Sequence, residues 1–133
     1  MSGVSVINYL LSNDSPTVAV VPAARIFTGV GPLETSVPTI VVQQISGTER
    51  LTVSMAGAKK MHTDRVQVTA LAKAYSTVKA ILALARIACA NRNGTVNSID
   101  LDSILPDIEG PDLYDAEDLI YSQTQDFLVK YRI

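Results

Sequence analysis

Apolar residues Val4, Ile7, Leu10 and Leu11 recur at helical spacing, and Asn13-Asp14-Ser15-Pro16 interrupts them, which predicts a short first helix. "TVAVV", ahead of Pro22, reads as a compact apolar turn or short strand. "ARIFTG" (24–29) reads as a strand ended by Gly29, Gly31 and Pro32, and "PTIVVQQIS" (38–46) as a second, with Pro38 tolerated at its start. From Asp64 the pattern alternates cleanly. Val66, Val68 and Ala70 take one side and Arg65, Gln67 and Thr69 the other, the mark of a half-buried antiparallel strand. The period then changes: Val78, Ile81, Leu82, Ala85 and Cys89 form one helical stripe, with Ser76 as the expected N-cap and Asn93-Gly94 as the stop. "TVNSIDLDSIL" follows as a fourth strand, and "PDIEGPDLYDAED" as an acidic loop.

Two stretches resist this simple patterning. Residues 47–63, "GTERLTVSMAGAKKMHT", predict a long β-hairpin arm or an extended loop around Gly57, a length that in small domains tends to carry function. The closing segment, "DLIYSQTQDFLVKYRI", has strand-forming residues throughout, yet Ser122, Gln123, Thr124, Gln125 and Asp126 place polar groups on both of its faces. The order of elements predicts an α+β fold: a mainly antiparallel sheet of four to five strands, one main helix packed on it, and a short N-terminal helix. The 133 residues fit a single domain, 1–133.

Charge changes this picture more than composition does. Between Arg50 and Arg92 stand Arg50, Lys59, Lys60, Arg65, Lys73, Lys79, Arg86 and Arg92, against the single acid Asp64. Between Asp100 and Asp118 stand Asp100, Asp102, Asp107, Glu109, Asp112, Asp115, Glu117 and Asp118, with no Lys or Arg. If this division survives folding, identical copies attract one another head to tail; if the two regions pair inside one subunit, it vanishes. The opening "MSGVSVINYLLSND" lacks the basic segment and cleavage pattern of a signal peptide, so export by that route is not expected. No run of apolar residues is long enough for a membrane-spanning helix.

Candidate chemistry is sparse. His62 is the only histidine, which excludes a multi-histidine metal site and leaves any Ser-His-Asp triad hanging on one residue in the 47–63 stretch, where an exposed loop position is expected. Cys89, the only cysteine, lies on the apolar stripe of the main helix and is expected to be a small buried hydrophobe rather than a nucleophile. "GVGPLE" (29–34) mimics the start of a dinucleotide-binding glycine pattern, but Pro32 and the next strand deny the helix N-terminus that chemistry needs. Asp100, Asp102, Asp107, Glu109 and Asp112 offer oxygens suited to Ca²⁺ or Mg²⁺, without the order of an EF-hand. The basic residues lack an interleaved aromatic platform for nucleic-acid bases. No catalytic residue, cofactor site or metal site is assigned.

The order of segments nevertheless resembles a known family. "ARIFTGVGPLETSVPTIVVQQISG", "RVQVTALAKAYSTVKAILALARIA", "LDSILPDIEGPDLYD" and "YSQTQDFLVKYR" follow one another in the manner of the tail-completion (tail-terminator) proteins of long-tailed bacteriophages. The resemblance spans residues 4–132. It is carried most specifically by Arg25-Ile26-Phe27, Val66-Gln67-Val68, Leu113-Tyr114-Asp115 and Ser122 through Arg132, around Gln125-Asp126-Phe127. Residues 49–63 depart from it, being longer and more basic than the pattern.

The resemblance implies a non-enzymatic virion protein, made in the host bacterial cytoplasm and placed at the head-proximal end of the tail. It would form a ring, expected to be a homo-hexamer, with the tail tube protein on one side and the head-to-tail connector on the other. Genomic DNA would pass through the lumen without sequence-specific binding, and no membrane would be involved. Ser122, Gln123, Gln125 and Asp126 would meet a neighbouring subunit, the tube or the lumen, while Phe127, Val129 and Tyr131 anchor the strand; the simpler alternative is an edge strand kept polar against aggregation. Lys59, Lys60 and Arg65 would meet carboxylates such as Asp112 and Asp115 across a subunit boundary. The acidic loop or the Gln/Ser/Thr strand would lie nearer the lumen than the Lys59-Lys60 arm, because DNA slides past neutral or acidic groups more freely than past cations. The competing readings are a small carboxylate- or metal-dependent enzyme using His62, and a monomeric adaptor or nucleic-acid-binding module.

Overall fold

The computed structural model of the protein describes residues 3–29, 38–50, 61–117 and 119–132. Helices α1 (Gly3–Ser12) and α2 (Ser15–Val20) lead through a 3₁₀ turn (Ala23–Arg25) into strands β1 (Ile26–Thr28), β2 (Thr39–Arg50) and β3 (Met61–Ala72). Helix α3 (Tyr75–Cys89) and strands β4 (Gly94–Val96), β5 (Ile99–Glu109), β6 (Leu113–Asp115) and β7 (Ile120–Arg132) complete the order. The strands form one sheet in the order β1-β2-β3-β7-β5-β4, with β6 also paired to β7. All pairings are antiparallel except β1 with β2. The fold is α+β as predicted, with seven strands among the described residues where four to five were expected.

Local chemistry explains where the extra elements arise. "SPTVAV" is helical rather than extended because Asp14 caps it, accepting from Thr17 N at 3.2 Å and from Thr17 Oγ1 at 2.6 Å, while Pro16 sits in the first turn. The expected fourth strand is two strands, β4 and β5. They turn at Asn97 and Ser98, whose positive φ angles of 50° and 65° suit a two-residue hairpin connection. The expected acidic loop is also largely strand: β5 continues through Pro106 to Glu109, and β6 pairs Leu113–Asp115 with β7. Helix α3 begins at Tyr75, one residue before the expected cap at Ser76, and Ala74 precedes it without a side-chain cap.

Helices α1 and α3 pack on one face of the sheet, and α2 packs against these two helices. Val6, Ile7 and Leu11 of α1 and Val78, Ile81, Leu82, Ala85 and Cys89 of α3 are buried with Val66, Val68, Phe127 and Val129 of the central strands. Each of the larger of these side chains stabilises the fold by roughly 1.5–3 kcal/mol through burial. The opposite face carries no helix among the described residues.

β7 occupies the middle of the sheet. Its residues pair with β3 from Tyr121↔Ala72 to Arg132↔Met61 and, on the other side, with β5 and β6. The alternative of a polar edge strand is therefore corrected. The strand is central, and its polar middle is flanked on both sides. The 47–63 stretch contributes paired strand at both ends, the β2–β3 register running out to Arg50↔Met61; residues 51–60 lie outside the described residues.

Candidate interaction surfaces

Alternation along β7 divides the polar residues between two environments. Gln123 and Gln125 point to the helix side with Phe127, Val129 and Tyr131 and are buried, while Ser122, Thr124 and Asp126 face the uncovered side. Gln123 is well satisfied. Its Oε1 accepts from Lys79 Nζ at 2.6 Å, and its Nε2 donates to the Gly110 carbonyl at 2.9 Å. Gln125 is fully buried; its Nε2 donates to the Asp126 carbonyl at 2.9 Å, and its Oε1 has no partner. An interface role for the polar strand thus fits Ser122 and Asp126 directly, whereas Gln123 and Gln125 are inside the subunit.

The uncovered face centres on Arg65. Its guanidinium pairs with Asp107 of β5 and, at 3.2 Å, with Asp126 of β7. Hydrogen bonds from Asp107 and then Asp126 raise its pKa further above the ordinary value, against the opposing effect of burial. Around this triad the pairs Thr63↔Lys130, Gln67↔Asp126, Thr69↔Thr124 and Leu71↔Ser122 make a mostly neutral polar surface.

A second cluster lies where β6 and the start of β7 meet the N-terminal end of α3. Lys79 Nζ donates to Asp112 Oδ1 at 2.8 Å, the Tyr75 hydroxyl donates to Asp112 Oδ2 at 2.9 Å, and the ammonium stands 5.1 Å from the Tyr75 ring centre. The Lys79 bond and, less, the Tyr75 bond hold the Asp112 carboxyl below the usual carboxylate range. Tyr121 contacts Tyr114 (ring centres 4.5 Å) and Tyr75 (5.9 Å), and Leu113, Tyr114 and Leu119 are each half exposed or more. Asp115 accepts from the Glu117 backbone N–H at 3.0 Å, closing the following turn.

These contacts decide the charge question in part. Arg65–Asp107, Lys79–Asp112 and Arg86–Glu109 join the basic and acidic regions within one subunit, so at least three of the eight basic residues are already engaged there. Lys59 and Lys60 lie outside the described residues.

Sequence reasoning missed Asp64. It is buried on β3, where its Oδ2 accepts from Gly3 N and from the Tyr131 hydroxyl, both at 2.8 Å. Burial, then the Asp64 contact, raises the Tyr131 phenol above its ordinary pKa. The available signal was its position in the alternation, in phase with Val66 and Val68. His62 is on this same strand rather than in an exposed loop, stacked on Tyr131 at 5.6 Å between ring centres and 3.7 Å from Glu49.

Other chemistry is limited. Burial pushes the Cys89 thiol up to about 12, as suits a core residue rather than a nucleophile. Among the described residues no three His, Cys, Asp or Glu side chains converge on a metal-sized site, and no helix is long and apolar enough to cross a membrane.

The sequence matches no protein-family model and no curated protein. In its fold, the chain is similar to a chain from the virion of a native gene transfer agent (GTA) particle. The TM-score is 0.72 at 12% identity, covering 99% of this chain and 96% of that one. The likeness extends over essentially the whole of both chains, and it establishes a shared architecture.

Proposed function

We propose that this chain is a structural subunit of a phage-like virion and that it forms a ring, most simply a hexamer, ending the tail tube and joining it to the head connector. The observation that carries this reading is the fold likeness to a GTA virion chain along the full length of both, which agrees with the order of tail-completion segments in the sequence. The role is assembly rather than catalysis. Its partners are further copies of itself, the tail tube protein and the head-to-tail connector, and its place is the head-proximal end of the tail.

The uncovered sheet face suits the wall of a DNA channel. Arg65 is held by two carboxylates, and it shares the face with Thr63, Gln67, Thr69, Ser122 and Thr124 as well as Leu71, Leu128 and Lys130, so the face offers hydrogen bonds with little concentrated positive charge to grip phosphates. Electron microscopy of the purified protein, with light scattering across a concentration series, tests the proposal. Closed rings of a single copy number are the expected result. Monomers at every concentration, with or without tail tube protein added, would overturn it.

A further inference from the structure

Two short strands bound the sheet at one height. Among the described residues β1 pairs only with β2, and β6 only with β7, so each leaves one side open. Ile26 stands opposite Ile40, Ile40 opposite Ala70, and Ala70 opposite Gln123. One residue back along the chain, Arg25 is level with Thr39, Leu71, Ser122 and, on β6, Leu113. Four ladders separate the two borders, about 19 Å at ordinary strand spacing. The turn Pro22–Arg25 lies on one border and Leu113–Glu117 on the other, so a subunit cannot bring them together itself.

The two borders are chemically complementary. Pro22 has φ −55° and ψ 147°, the polyproline II conformation, and the Arg25 N–H donates to its carbonyl at 2.8 Å, which fixes the 3₁₀ turn that follows. Pro22, Ala23 and Ala24 are exposed, forming an apolar knuckle already held in one shape, with little freedom left to lose on binding. On the other border Tyr75, Leu113, Tyr114 and Leu119 are between 47% and 59% exposed around Tyr121. Aromatic surfaces of this kind receive proline-containing segments, and exposed apolar side chains grouped together mark a docking surface.

Charge adds one specific match. Near the tyrosines Lys79 is taken up by Asp112 and Gln123, and Asp115 is engaged as well. Among the described residues the Glu117 carboxylate meets no base, and the Arg25 guanidinium meets no carboxylate. Each copy thus carries both halves of a contact, level with one another and on opposite borders.

We infer that the Pro22–Arg25 turn of one copy docks on the Tyr75–Leu113–Tyr114 surface of a second copy, with Arg25 meeting Glu117. The contact is heterologous, joining different surfaces of identical chains, so it propagates until it closes into a ring or continues as a filament. It deepens the ring reading by naming a contact, and rests on that reading only for closure.

Two single-cysteine proteins, both in a Cys89→Ala background, test this: Ala23→Cys and Leu113→Cys, mixed and treated with a short bismaleimide. The expected product is a covalent dimer formed in the mixture and far less in either protein alone. Adding Arg25→Glu to the first protein should lower the yield about threefold at low salt, and adding Glu117→Arg to the second should then restore it. Rings without the mixed product would overturn the inference and leave the ring reading standing. The mixed product in open filaments would support the contact and refute closure. Monomers without product would overturn both. A yield that Arg25→Glu leaves unchanged, or that the exchanged charges fail to restore, would overturn the docking of these two surfaces.

Discussion

The backbone N–H of Gly3 donates to the carboxylate of Asp64 across 61 residues of sequence, at 2.8 Å, inside the protein. Helix α1 begins at Gly3, so a side chain of the sheet serves the free N–H groups that every helix start presents, and its negative charge suits that end of the helix dipole. The approach is close enough to select for glycine. A Cβ on Gly3 would lie 2.9 Å from Asp64 Cβ, and one on Gly47 would lie 2.7 Å from Asp64 Oδ1.

Removing this carboxylate should be costly. Asp64→Ala leaves the Gly3 N–H and the Tyr131 hydroxyl without their acceptor, and a loss of about 2–4 kcal/mol in urea unfolding is expected. Tyr131→Phe removes only one of the two bonds and should lose about half as much. Equal losses would mean that the Gly3 contact contributes nothing.

The two buried glutamines should respond in opposite ways. Gln125→Met replaces an amide with an unpaired oxygen by an apolar chain of similar length, and a change between neutral and about 1 kcal/mol of stabilisation is expected. Gln123→Met strips acceptor and donor from Lys79 and Gly110 and should destabilise the protein. Denaturant midpoints compare them directly, and a loss at Gln125 equal to that at Gln123 would refute the assignment.

Cys89 should be chemically silent in the native state. At pH 8 a thiol reagent is expected to label it only as fast as the protein opens, so labelling and unfolding rates should coincide. The sign of its pH effect follows from a folded pKa of about 12 against an ordinary 9.0. Its contribution is fully present below pH 9 and is lost as pH rises from there towards 12. Cys89→Ala should flatten that alkaline limb.

Asp112 titrates in the other direction. Its folded pKa is depressed below the ordinary 3.8, so its contribution is present above that value and disappears as pH falls through the lowered one. The group is exposed, so the effect is small and screened by salt. Melting temperatures of the native protein and Asp112→Asn, taken from pH 2 to 6 at low salt, should converge at the acid end.

The alternating and helical periods were legible wherever one face was apolar, as in 64–70 and 78–89. They failed where a cap or turn outweighed the apolar pattern: Asp14 and Pro16 turned "TVAV" into helix, and Asn97-Ser98 divided one expected strand into two. The closing strand deceived for another reason. Gln123 and Gln125 look like surface residues because period counting ranks them by polarity, yet β3 pairs with both, β5 pairs with Gln125, and Lys79 of α3 reaches Gln123. Only the partners supplied by distant elements, Lys79 and Gly110, make Gln123 a stable core residue. The ion pairs of Arg65, Lys79 and Arg86 were hidden likewise, since charge counts do not say which elements become neighbours.

The position of β7 has a consequence for how the molecule comes into being. Within the strand order, β1-β2-β3 on one flank and β5-β4 on the other share no ladder except through it. Yet it is translated after all of them. Until residues 120–132 leave the ribosome, β3 and β5 each lack a neighbour along a whole side, and half-made chains expose two adhesive margins side by side. Completing the sheet therefore requires a long-range closure by the last strand rather than growth outward from the first hairpin alone.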